Sequence, residues 1–497
     1  MNIQMIRELL SEKRKEKKIG IICRDDSLTY EEWHNNSEEL SRIILKEKSH
    51  KLIGLFLPNS IAYAVSYFAC LYANKAIVPF YIENAKEEIA LTLIECNINV
   101  IITSREYAAY IRQISIDYEL SIKIVIVNAV GEIESKIILS KQDLLCENWD
   151  QDLKDVVVLL PTSGTTSKSK RVMLTNYGLL ANIKAHCEAL HLTSEEVGLI
   201  QLPMMFGYCN TAQFLAHIYL GASSVIGENH FLIGDFYRTV ERWKITNFTT
   251  VPSILLTFSK NQKRINNIST LKKICFGGGA ISVEQLEKII TMFPNIKFIQ
   301  TYGLTEAGPR VTALPEDSYV RKIGSVGKAI PNVYINIVDD NNQSLPKGKV
   351  GEIIVKSDGV MKGYFKNPED TKKILRRGWL YTGDLGYLTE DDFLYVVGRK
   401  KNIIISGGLN ICPEEVEKVL LLHSNILDAK VYGKEDELYG EIVCADIVVK
   451  NNNPDLIKTL KMFCKEKLSK YKVPAYFFIV NKIEKTYNGK TERSKKR

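Results

Sequence analysis

Short aliphatic and β-branched runs at 52–57, 76–80, 98–104, 122–127 and 156–160 alternate with helix-like segments such as 60–73 and 86–95. Runs this short are strands rather than helices, and their continuous apolar character means that both faces are buried. Strands covered on both sides by intervening helices give a layered α/β architecture. At 497 residues the chain is too long for one core, so more than one domain is expected. From about 330 the strands shorten and carry Gly and Asp turns, as in "NVYINIVDD", "GEIIVKS" and "FLYVVGR", which predicts a β-rich subdomain. A second change follows "GRKKN" (398–402), after which the chain reads as a small α/β unit. Its first helix, in "CPEEVEKVLLLH", begins with Pro and two glutamates that suit the positive end of the helix dipole.

The net charge of +8, from 66 basic and 58 acidic residues, suits a phosphate-bearing ligand and does not point to nucleic acid. Ten scattered cysteines without a CxxC pair predict a reduced, cytoplasmic protein. Charges through Lys18 leave no visible signal peptide. The apolar run 61–72 ends at Asn74 and Lys75, short of the roughly 18–20 residues that span a bilayer, so no membrane span is expected. The mixed-sign run Ser11–Lys18 reads as a solvated helix face.

After the apolar run 156–160 the chain breaks into "PTSGTTSKSKR". A strand, a Gly/Ser/Thr loop and then a helix would aim backbone N–H groups at a phosphate. Thr162, Ser163, Thr165 and Thr166 add hydroxyl donors, Lys170 adds charge, and Gly164 permits close backbone approach. The spacing is not that of a Walker A loop, because no glycine precedes Lys170. Alone, the loop reads equally well as a solvated turn.

Three further motifs follow it in order: "QTYGLTEAGP" (300–309), the long segment 378–417 beginning "GWLYTGDLG", and "EKTYNGKTER" (484–493). With all four, nearly the whole chain resembles the adenylate-forming superfamily of acyl-CoA synthetases, peptide-synthetase adenylation domains and beetle luciferases. It is most similar to the stand-alone acyl-CoA synthetases. The resemblance implies an enzyme that converts a carboxylic acid and ATP to an acyl-adenylate, releasing pyrophosphate, and then transfers the acyl group to a thiol. It implies Mg2+ as cofactor and a chain divided into an ATP- and acyl-binding domain (1–398), a hinge (399–402) and a mobile domain (403–497).

Bringing a carboxylate to a polyphosphate requires positive charge where negative charge gathers. By the resemblance, Lys490 in "NGK" is the catalytic lysine bridging carboxylate and α-phosphate, with Gly489 freeing its backbone. Glu306 matches the magnesium ligand, with Thr305 beside the phosphates, Gly303 is counted among the ATP-binding residues, and Tyr302 matches the residue stacking on adenine. Gly279 and Ala280 match the segment along the other adenine face, while Asp384 and Arg399 match the ribose-binding pair. Lys401 falls at the hinge, and Gly407 and Gly408 at the loop forming the thiol tunnel.

The sequence also departs from the pattern. Ser167, Ser169 and Arg171 stand where Gly, Pro and Gly are common, and Arg171 is expected to add a second cation to the loop. Phe206 replaces a frequent histidine at the acyl pocket, where Tyr208 also falls. Amino-acid-activating relatives place a carboxylate near that position to pair with the substrate ammonium. None occurs in 206–214, so an acid without an α-amino group is expected. Coenzyme A is the expected acceptor, with the phosphopantetheine arm of a carrier protein as the alternative. A silent nucleotide-binding scaffold is disfavoured by the presence of Lys490 and Glu306. A kinase or ATPase is disfavoured by the missing Walker A, HRD and DFG motifs.

Overall fold

The computed structural model describes residues 5–46, 51–139, 153–162, 170–228, 230–258, 268–279, 281–318, 320–406, 409–437 and 439–485. Among these, the strands form four sheets. The eight-stranded sheet holds the parallel strands Leu52–Phe56, Ala76–Pro79, Val100–Ser104 and Ile122–Val127, where the apolar runs place them. The nine-stranded sheet has a parallel centre built from Val197–Ile200, Ser223–Ile226, Asn247–Thr250, Lys273–Phe276 and Lys297–Tyr302.

Helix Ile61–Tyr72 lies in the core shared by these two sheets, which explains its all-apolar sequence. Its side chains are buried through Leu71, and Ser60 caps its first turn by accepting from the Tyr63 N–H at 3.1 Å. Trp33, Tyr67, Phe68 and Phe214 pack edge-on and stacked in the same core. No helix among the described residues is long and apolar enough to cross a membrane.

The third sheet is antiparallel, with Tyr334–Val338, Gly351–Lys356, Trp379–Leu388 and Leu394–Arg399 as its main strands. A single 3-10 turn, Lys400–Asn402, leads to the fourth sheet. There Ile426–Asp436 and Gly440–Val449 pair over most of their length, and helices Pro413–Leu421 and Leu456–Lys467 pack on them. Its core runs from Ile404 to Leu468 and, among the described residues, takes no buried residue from elsewhere.

Three expectations require correction. The loop after Val156–Pro161 leads into a second strand, Arg171–Thr175, before helix Asn176–Ala189 begins. The two strands pair antiparallel, and the Thr162 N–H donates to the Lys170 carbonyl at 3.0 Å across the loop mouth. The largely buried RVMLT segment pairs as a further strand of the eight-stranded sheet, so Thr175 rather than the loop supplies the helix cap. Arg171 does not join the loop's cations. Side chains alternate along a strand, and Arg171 points to the opposite face from Lys170, where it is buried and donates to Thr92 Oγ1 at 2.7 Å. Finally, the Ser11–Lys18 run is not wholly solvated: Lys13 is buried and bonds the Leu220 carbonyl and the Glu16 carboxylate.

Candidate active site

A cavity of about 1090 Å³ is lined by residues from the first three sheets and the 3-10 turn. The segment 302–310 shapes one wall. At Gly303 a Cβ would fall 1.6 Å from the Pro309 carbonyl oxygen, so only glycine fits, and Gly308 takes a φ of +90°. These two glycines allow the chain to fold back over a 3-10 turn, Thr305–Ala307, which the Met361 N–H fixes by donating to the Glu306 carbonyl at 2.9 Å. Glu306 thereby presents its side chain to the cavity.

Of the residues singled out by sequence, Thr162, Lys170, Gly303, Thr305 and Glu306 line this one cavity. Phe206, Tyr208, Arg399 and Lys401 line it as well. Tyr302 and Asp384 are joined beside it: the Tyr302 hydroxyl donates to Asp384 Oδ2 at 2.8 Å, and Arg399 Nε sits 2.7 Å from Asp384 Oδ1. Asp384 is buried, and its charge raises the Arg399 pKa. Burial, then the neighbouring Asp384 carboxylate, pushes the Tyr302 phenol well above its ordinary value. Gly279 is not in the lining, although Gly278 beside it is. Ser163, Gly164, Thr165, Thr166, Ala280, Gly407, Gly408 and Lys490 lie outside the described residues.

Sequence reasoning missed several partners. Tyr364, in "KGYFKNP", donates its hydroxyl to Glu306 Oε1 at 2.8 Å and lies under the Lys170 ammonium at 4.9 Å from the ring centre. Lys170 itself is held 2.8 Å from Asp370 Oδ2, and Lys170 with Lys373 keeps the Asp370 carboxyl well below the usual carboxylate range. Lys170 therefore reaches the cavity as a paired cation. Burial, reinforced by Arg399, lowers the Lys401 pKa.

Of the two residues expected at the acyl pocket, Phe206 packs on Tyr81, and the Tyr208 hydroxyl shares a hydrogen bond with Thr301 Oγ1 at 3.1 Å. The Arg310 guanidinium stacks over the Tyr208 ring at 4.9 Å. Arg310 directly follows the "TEAGP" motif, and a cation at that place was the one signal available in the sequence.

Among the described residues no group of three or more His, Cys, Asp or Glu side chains is placed to hold a metal. A lone carboxylate such as Glu306 suits Mg2+, which takes few protein ligands and fills its octahedron with phosphate oxygens and water.

Residues 11–365 match the model of the AMP-binding enzyme family, and residues 415–490 that of the AMP-binding enzyme C-terminal domain. The chain is 30% identical over 489 residues to 4-coumarate–CoA ligase 2 of Nicotiana tabacum, covering 94% of this chain and 88% of that protein. Its fold resembles o-succinylbenzoate CoA synthetase (MenE) of Bacillus subtilis, solved with its acyl-adenylate intermediate OSB-AMP. The TM-score is 0.84 at 26% identity, over 98% of this chain and 97% of the other. The same enzyme solved with ATP and a magnesium ion gives a TM-score of 0.84 at 25% identity, covering 98% of each chain. With the family model spanning most of its length and a relative of 30% identity matched nearly end to end, this chain belongs to the AMP-binding enzyme family.

Proposed function

We propose that this protein is an AMP-forming acid–thiol ligase that joins a carboxylic acid to coenzyme A. In the first half-reaction a substrate carboxylate oxygen attacks the α-phosphorus of ATP. The bond from that phosphorus to the bridging oxygen breaks, and pyrophosphate leaves. In the second, the coenzyme A sulfur attacks the acyl carbon, the bond to the phosphate oxygen breaks, AMP departs and the thiol proton is lost to solvent.

The observation that carries this reading is the convergence of Thr305, Glu306, Lys170 and Arg399 on one cavity that also contains the apolar Phe206 and Tyr208. Glu306, oriented by Tyr364, would hold Mg2+, which supplies charge neutralisation at the phosphates. Asp384, fixed by Tyr302 and Arg399, would accept from the ribose hydroxyls. Tyr302 and the 278–280 segment would bracket the base. Lys490 would provide the cation between carboxylate and α-phosphate, worth roughly 4 kcal/mol at 4 Å and an effective dielectric of 20. Rotation at Lys401 would exchange Lys490 for the Gly407–Gly408 loop between half-reactions, dividing the chain at 399–402.

Arg310 beside Tyr208 would repel an ammonium, which agrees with an acid lacking an α-amino group. Coenzyme A is favoured as acceptor because the relatives named above are CoA ligases; a carrier protein's phosphopantetheine arm offers the same thiol. The scattered cysteines support a cytoplasmic setting.

Pyrophosphate exchange into ATP tests the reading. Exchange that requires an added carboxylic acid is expected. Acid-independent formation of ADP would overturn it.

A further inference from the structure

Arg310 is a guanidinium with 2% exposure, yet no carboxylate among the described residues pairs with it. Its Nε donates to His186 Nδ1 at 3.2 Å. His186 Nε2 in turn donates to the Ala212 carbonyl at 2.9 Å, which leaves Nδ1 as the acceptor and the ring neutral. Burial, then the Arg310 charge, pushes the His186 pKa well below its ordinary value, so His186 satisfies a donor without offsetting the charge. Asn182 reaches the main chain of Arg310 rather than its guanidinium, accepting from its N–H at 3.2 Å and donating to its carbonyl at 2.8 Å. The Nη2 atom is buried with no hydrogen-bond partner among the described residues.

A buried cation left without a counter-ion is strongly unfavourable, and buried donors are almost always paired. Arg310 and Tyr208 both line the cavity, and the ring of Tyr208 lies against the guanidinium face. The charge is therefore felt in the cavity either through that ring or directly once the half-buried Tyr208 turns aside.

We propose that Arg310 is a specificity-determining residue for a second carboxylate on the acid substrate, the group that completes its missing ion pair. This deepens the proposed acid activation and rests on it. The substrate class is then a dicarboxylic acid, one carboxylate adenylated and the other held at the Tyr208–Arg310 wall.

The test uses the full chain and pyrophosphate exchange with two matched acid pairs: hexanoate against hexanedioate, and cinnamate against 4-carboxycinnamate. In at least one pair, kcat/KM should favour the diacid by about tenfold or more, mainly through KM. Arg310→Met should bring that ratio close to one, and Arg310→Lys should restore part of it. A merely structural Arg310 would change both members of a pair alike. Exchange with monoacids but no preference for either diacid would overturn this inference and leave the ligase reading intact. No exchange with any carboxylic acid would overturn the ligase reading itself. Circular dichroism establishes whether Arg310→Met folds; if it does not, the wild-type preference alone decides.

Discussion

Two arginines reach the same cavity under opposite circumstances. Arg399 is partly exposed yet has a carboxylate partner, Asp384, which the Tyr302 hydroxyl also binds. Arg310 is fully buried and is surrounded by a neutral imidazole, an amide and a phenol ring. The first arrangement is electrostatically complete before any ligand arrives and so serves to hold geometry. The second is incomplete and gains most from an arriving anion. Pairing, rather than mere presence of a cation, separates the part of the site that is fixed from the part that selects.

The largest effect should come from a third cation, Lys490, whose proposed task requires that it move. Lys490→Ala is expected to slow adenylate formation by about a thousandfold, the rate equivalent of roughly 4 kcal/mol. Thioester formation from supplied acyl-adenylate should be spared, and equal loss in both assays would contradict a mobile cation. Next, Asp384→Asn turns Arg399 into a second unpaired guanidinium. The KM for ATP should rise about tenfold. Stability should fall by about 1–3 kcal/mol, between the surface and buried limits because Arg399 is partly exposed. Urea melts with unchanged midpoint would show that the pair is not what fixes this end of the cavity.

The smallest effect is the one Arg310 exerts on the pH dependence of stability. His186, beside Arg310, has a strongly lowered pKa, and burial pushes His217 down to about 4. Both are neutral when folded, whereas the unfolded chain binds protons near the ordinary value of 6.5. Their contribution to stability is thus complete above about pH 6.5 and is lost as pH falls below it, for His217 down to about 4, at up to about 1.4 kcal/mol per unit for each group. Thermal melts between pH 7.5 and 5 should show a falling midpoint, with a shallower slope in Arg310→Met. Parallel slopes in the two proteins would separate Arg310 from the His186 titration.

The layered core was readable because its strands are continuous apolar runs, and 52–56, 76–79 and 122–127 need no distant partner to be recognised. The motif residues that line the cavity, such as Gly303, Thr305 and Glu306, could be singled out because their types and order match a family. What escaped were contacts between residues far apart in the chain. The Arg310–His186 bond joins positions 124 apart and Tyr364–Glu306 positions 58 apart, and nothing local in either segment announces the other. Arg171 was misread for a related reason: its neighbour Lys170 faces the cavity, and only the pairing of 171–175 as a strand turns Arg171 away.

That hairpin also bears on how the hydroxyl-rich turn can change over time. Because the Thr162–Lys170 backbone bond closes its base and the flanking strands are zipped into the sheet, residues between them are tethered at both ends. Changes of length or sequence between Thr162 and Lys170 are therefore expected to leave the strand register and helix Asn176–Ala189 in place. If the turn holds phosphate as proposed, its sequence can vary without disturbing the strands that carry it, so rate and architecture would be separable at this point.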